Sequence, residues 1–259
     1  MYINPQLLLY LTLGNIKKMT KHFIILLVLF LIFSCKTENK ETNKFKVEYH
    51  GALKNMMHKG DISAKVDLKE FENIEHFYAL GAIENLKGEV QILDGKSYNT
   101  IVVDSTLKFD NSFNKKATLL VYAKVEKWKS INIPYDVSTY EELENYIEKT
   151  AKENGIKIDE PFPFLLEGIC KLIDWHIINW KDGDMEHSHQ KHINSGLNGT
   201  INNKEVKMLG FYSDSHHAIF THHTTNMHIH LKTIDNQLAG HVDGLNLENG
   251  SILKLPYVK

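Results

Sequence analysis

The sequence predicts an α+β fold: two packed domains of mostly antiparallel sheet with a few helices. Strand-length apolar runs recur on both sides of residue 138, and turn signals separate them. One well-capped helical stretch stands between the two groups of runs, an order typical of segregated strands and helices. Hydrophobic side chains make up 42% and charged ones 24% of 259 residues, which excludes collagen-like, disordered and multispanning classes. The 30 basic and 32 acidic residues leave a net charge of -2, so nucleic acid is not an expected partner. All the basic residues are lysine; the chain has no arginine.

Residues 1–35 read as an export signal. Phe23–Phe33 is an uncharged apolar run of eleven residues, too short to span a bilayer but right for the core of a signal peptide. Ile32-Phe33-Ser34-Cys35 resembles a bacterial lipoprotein cleavage box, with Met19 as an alternative start. A lipidated Cys35 would hold the chain on the cell envelope, and polar residues 36–46 would form the tether. Cys170, the other cysteine, lies among Ile169, Leu172 and Ile173 and reads as a buried structural thiol.

The N-terminal α+β domain is expected over 47–135. A helix is predicted over 61–74, where Asp67 and Glu70 have capping-box spacing. Strands follow at His76–Ile83, Glu89–Leu93, Thr100–Val103 and Ala117–Val125, with Asp94-Gly95 as a hairpin turn. Residues 136–259 form the linking helix and a β-rich metal-binding domain. The helix spans 138–154: Ser138-Thr139 opens it, Leu143, Ile147 and Ala151 share one face, and Gly155 stops it. Further strands are predicted at Phe164–Trp180, Gly199–Val206, Ala218–Leu231, Ala239–Leu247 and Ser251–Leu255, with Asn202-Asn203 and Asn249-Gly250 as turns.

Ten of the 15 histidines fall between His187 and His241. In a strand, His228 and His230 point to one face. Asp235-Asn236 is a turn signal, so the next strand can return antiparallel and bring His241 across from them. Three imidazoles then converge on one ion and leave a fourth position open, the pattern of a catalytic zinc site. The alternative is three hydrogen-bonded strand histidines. His222 shares the parity of His228 and His230 on the predicted strand and so faces the same space. His187-Ser188-His189-Gln190-Lys191-His192 reads as a solvated surface loop, with a second metal or a reach over the pocket as alternatives.

Two blocks carry a family likeness. Gly210-Phe211-Tyr212, Met227–Leu231 and Ala239–Asp243, together with Leu80–Gly95, resemble the alpha-acetolactate decarboxylase family, and Gly60-Asp61 fits its opening. The resemblance implies two packed α+β domains and a zinc ion on His228, His230 and His241. It also implies a glutamate from the first domain near the metal, which falls on Glu89. The implied reaction is decarboxylation of 2-acetolactate to acetoin through a zinc-bound enediolate. Such a 2-hydroxy-3-oxo acid can chelate one metal through its hydroxyl and ketone oxygens, and the ion draws charge onto the ketone. Glu89 would then return the proton, with His222 as a second catalytic candidate.

The chain departs from that family in two ways. The family places an arginine in the pocket; here Lys171, His176 or His222 would have to substitute, and lysine does not reproduce bidentate carboxylate binding. The family also supplies a glutamate from a C-terminal segment that has no counterpart before Lys259. A second reading is therefore a catalytically impaired lipoprotein that binds a metal or a hydroxy acid; a third is another metal-assisted reaction on the same scaffold. Expected partners are the substrate and, through Cys35, the membrane, with a homodimer left open.

Overall fold

The computed structural model describes residues 45–258. The export signal, Cys35 and almost all of the tether lie outside the described residues. Among the described residues no helix is long and apolar enough to cross a membrane.

Among the described residues fourteen strands and three α-helices follow in order: β1 Val47–His50, α1 Leu53–Lys59, β2 Val66–Asp67, β3 Phe77–Ile83, β4 Glu89–Leu93, β5 Lys96–Ser97, β6 Asn99–Val103, β7 Thr106–Asp110, β8 Lys116–Lys124, β9 Trp128–Asn132, α2 Tyr140–Glu153, β10 Phe162–Ile177, α3 His189–Asn194, β11 Leu197–Tyr212, β12 Met227–Thr233, β13 Ala239–Leu247 and β14 Ile252–Pro256. They build two antiparallel sheets, as an α+β chain should. The first has the order β1-β8-β3-β4-β6-β7, with β2 on β8 and β5 on β4. The second has the order β11-β12-β13-β10-β14-β9, and β10 also pairs with β11, so β10 to β13 close on themselves. β9 joins this second sheet through β14 although its residues precede position 135.

The alternation of side chains places three cores. On β3, Phe77, Ala79 and Ile83 pack with Val90, Ile92 and Leu120 on the outer side of the first sheet. Tyr78, Leu80 and Ala82 face the second sheet and meet Leu165, Leu209, Phe211 and Phe220. The closed part of the second sheet is filled by Phe164, Cys170, Met208, Ile229 and Leu231, and Leu143, Ile147 and Ala151 of α2 pack on this core. Each fully buried leucine or isoleucine there contributes about 1.5–3 kcal/mol by leaving water.

α2 begins where the sequence places it, with Thr139 as N-cap and Glu142 completing a capping box. The thiol of Cys170 is buried and pushed up to about 12 by burial. Asp94-Gly95 turns between β4 and β5 with positive φ at both residues (50° and 74°), as a tight hairpin requires.

Four expectations need correction. The helix over 61–74 is only a short 3-10 turn, Leu68–Phe71, after β2. Residue 65 instead pairs with β8, and Leu68 and Phe71 are drawn into the outer core. Asn202-Asn203 does not turn the chain: Asn203 takes a positive φ of 52°, but β11 keeps one register along β10. The strand Ala218–Leu231 starts only at Met227, and the preceding residues form a loop. The His187–His192 segment is no free loop, because α3 forms within it, capped by the Ser188 hydroxyl accepting from Lys191 N.

The capping box sets a pH dependence. Backbone N–H groups of Thr139 and Ser138 hold the Glu142 carboxyl at about 2. The stability this adds is present above the unfolded value near 4.5 and is lost as pH falls through about 2. The Tm gap between wild type and Glu142→Gln should be constant above about pH 5 and close steadily in acid; thermal melts across that range check it.

Candidate metal centre

The β12–β13 hairpin turns at Asp235-Asn236 and sets His230 directly across from His241. On its other edge β13 sets His241 across from His176 of β10. His230, His241 and His176 thus form one row over three strands, and His228 lies two residues along β12 on the same face. That face looks away from Ile229 and Leu231, toward the first sheet. The rings of His228, His230 and His241 stand 5.0–5.4 Å apart by centroid. One nitrogen from each lies within 4.8 Å of the others, so the trio can hold one metal ion.

The donor chemistry fits a metal. His230 is 0% exposed, yet neither of its nitrogens has a hydrogen-bond partner, and His228 Nδ1 is also unpartnered. Burial keeps all three imidazoles neutral: His228 falls to about 4, and His230 and His241 lie well below the usual value. Neutral imidazoles with free lone pairs are ligands. A second group, His176, His241 and Asp243, also clusters, but there His176 Nδ1 is bonded to both Asp243 oxygens at 2.8 and 2.9 Å. The first trio is therefore the better metal site.

The first sheet contributes β4. Glu89 and Gln91 share its inner face, a period-two relation. Glu89 is 4% exposed; its Oε1 accepts from Ile178 N at 2.9 Å and its Oε2 lies 3.7 Å from His230 Nε2. Burial lifts its carboxyl to about 7, against the pull of His176 and the Ile178 amide. Gln91 Nε2 donates to the His230 carbonyl at 3.4 Å and ties the two sheets together. His176 is lowered by burial, but its bond to Asp243 and the nearby Glu89 outweigh this and raise it above the usual value. Glu89, His176, His228, His241 and Asp243 line one cavity of about 320 Å³, within the range of small-molecule sites.

Of the three candidates to replace an arginine, Lys171 is exposed and lies 3.7 Å from Glu248, away from this cavity. His176 lies inside it. His222 also lines it, but from the 218–226 loop rather than by strand parity, and it sits beside His189 and Thr224. Asp243 received no role from the sequence, although its period-two relation to His241 could have suggested one. His189 and His192 line the cavity, the reach over the pocket that the sequence offered as an alternative to a solvated loop.

A sequence model of the alpha-acetolactate decarboxylase family matches residues 49–255. The chain belongs to that family. A comparison with curated proteins found no match. Among solved structures, alpha-acetolactate decarboxylase from Bacillus subtilis strain 168 aligns with TM-score 0.65 at 14% identity, covering 81% of this chain and 85% of that one. Acetolactate decarboxylase from Bacillus subtilis subspecies spizizenii gives 0.64, with the same identity and coverage. A Staphylococcus aureus protein of unknown function, described as similar to alpha-acetolactate decarboxylase, gives 0.62 at 14%, covering 80% and 84%. These likenesses establish a shared fold across the family.

The trio makes a direct prediction. His230→Ala should leave far-UV circular dichroism unchanged and lose tightly bound metal, measured by elemental analysis after dialysis. Wild type should gain about 2.7 kcal/mol of stability at a hundredfold excess of ion over Kd, and the variant should gain far less at the same ion concentration.

Proposed function

We propose that this chain is a metal-dependent decarboxylase that converts 2-acetolactate to acetoin, with zinc as the ion. The observation that carries this reading is the clustering of three imidazoles, His228, His230 and His241, beside the buried Glu89 carboxyl, with His228, His241 and Glu89 lining one cavity. His228, His230 and His241 would hold the ion. Three protein ligands leave it room for substrate, and its chemistry when bound is that of a Lewis acid drawing charge toward the ketone oxygen.

The chain's own residues account for the rest. The bond between the carboxylate carbon and the carbinol carbon breaks, and its electron pair stays behind as an enediolate while carbon dioxide leaves. Glu89, with a carboxyl near 7, is partly protonated at neutral pH and can deliver its proton to that carbon to give acetoin. His176, raised above its usual value by Asp243 and Glu89, lines the same cavity and is the candidate to face the substrate carboxylate, and Asp243 fixes its ring. The apolar side of the cavity, with Leu86, Leu119, Phe220 and Met227, limits water around the reacting carbon.

The lack of arginine favours one second reading, a protein that binds metal and hydroxy acid without turnover. Zinc-loaded wild type should release carbon dioxide and acetoin from 2-acetolactate. Glu89→Gln should keep its metal and lower kcat by roughly 10²–10⁴-fold, the usual worth of a general acid. Bound metal with no acetoin from either form would replace the decarboxylase with the binding protein.

We also propose that the chain is exported and lipid-anchored at Cys35, on the strength of the Phe23–Phe33 run and the Ser34-Cys35 box. Labelled fatty acid should be incorporated into wild type and not into Cys35→Ser.

A further inference from the structure

The cavity carries a second set of imidazoles to which the steps proposed above give no part. His189 and His222 line it together with His192. The rings of His189 and His222 stand 4.6 Å apart with a tilt of 49°. His228 and His241 stand 5.0 Å apart with a tilt of 50°. The outer pair thus nearly repeats the spacing and tilt of a pair within the metal trio. His223 continues the series outward, its ring 4.1 Å from that of His222. Exposure is graded along the way: His189 and His223 are exposed, His222 is half-buried, and His228 and His230 are buried.

Two separate pieces of chain are braced to make this pair. His189 opens α3, and the segment before it is pinned on Trp180. The His187 ring stacks on that indole at 4.4 Å, Trp180 Nε1 donates to the Asp184 carbonyl at 2.9 Å, and Lys191 pairs with Asp184 at 2.8 Å. The 218–226 loop is tied to α1 by Leu53 N and Lys54 N, which donate to the Ile219 and Ala218 carbonyls at 2.8 Å.

The donors suit a transition metal. Imidazole nitrogens favour zinc, copper, nickel and cobalt over magnesium or calcium, which seek oxygen. Burial and the neighbouring imidazoles hold His222 at about 4, and although His189 is exposed as a residue, the partial burial of its ring lowers it below the usual value. His222 Nδ1 is bonded to the Thr224 hydroxyl at 2.9 Å, which makes Nε2 the ligand atom. Two imidazoles bind an ion more weakly than three, so an ion held here can still be released inward.

We propose that His189 and His222 form a capture site for a divalent transition-metal ion at the cavity mouth, from which the ion passes to His228, His230 and His241. The transfer step rests on the inner trio binding metal. Capture would turn loading of the inner site into an intramolecular step at high effective concentration.

Zinc titration of the chelator-stripped full chain tests both sites together. Wild type should bind one tight and one weaker equivalent. In the double variant His189→Gln, His222→Gln the weaker equivalent should vanish. Zinc entry into the tight site, followed by stopped flow against a chromophoric chelator, should slow by roughly tenfold or more, with final occupancy unchanged. His230→Ala should show the reverse, keeping the weak equivalent and losing the tight one. The capture site is overturned if the double variant loads at the wild-type rate, or if the weaker equivalent persists in it. A wild type with a weak equivalent and no tight one overturns the inner trio instead, and the transfer with it.

Discussion

The site depends on one constraint, the register of the β12–β13 hairpin. That register sets His230 opposite His241, and the next pairing sets His241 opposite His176. A slip of one residue would turn the β12 imidazoles into the core and bring Ile229 and Leu231 out toward Glu89. The apolar face of β12 therefore does two jobs: it fills the second sheet's core and it aims the histidines.

The same cavity raises two pKa values for different reasons. Glu89 sits where burial dominates and its carboxyl rises to about 7. At His176 the bond to Asp243 and the nearby Glu89 outweigh burial and raise the imidazole above its usual value. The first shift favours a neutral acid and the second favours a charged ring. His176 is thus the arginine-free chain's candidate to face a substrate carboxylate, although an imidazole cannot grip it with the two parallel donors of a guanidinium.

Much of this was legible from residue order. Period-two spacing read His228 and His230 onto one face, and Asp235-Asn236 brought back the strand bearing His241. Ser138-Thr139 announced α2. Other parts were decided by contacts distant in sequence. Residues 61–74 have helical capping spacing, but pairing with β8 and burial of Leu68 and Phe71 prevail over local preference. His222 reached the cavity by a loop path that strand parity could not anticipate. α3 is braced by Trp180 and Asp184, so a polar, histidine-rich stretch that resembles a solvated loop becomes part of the cavity wall. Lys171 looked interchangeable with His176 as a cation, and only the strand pairing separates the exposed side chain from the buried one.

X-ray absorption at the zinc edge of the loaded protein tests the central claim most directly. Three imidazole nitrogens at about 2.0–2.1 Å and one exchangeable oxygen ligand are expected. A first shell with fewer than three imidazoles, or one dominated by carboxylate oxygens, would contradict it.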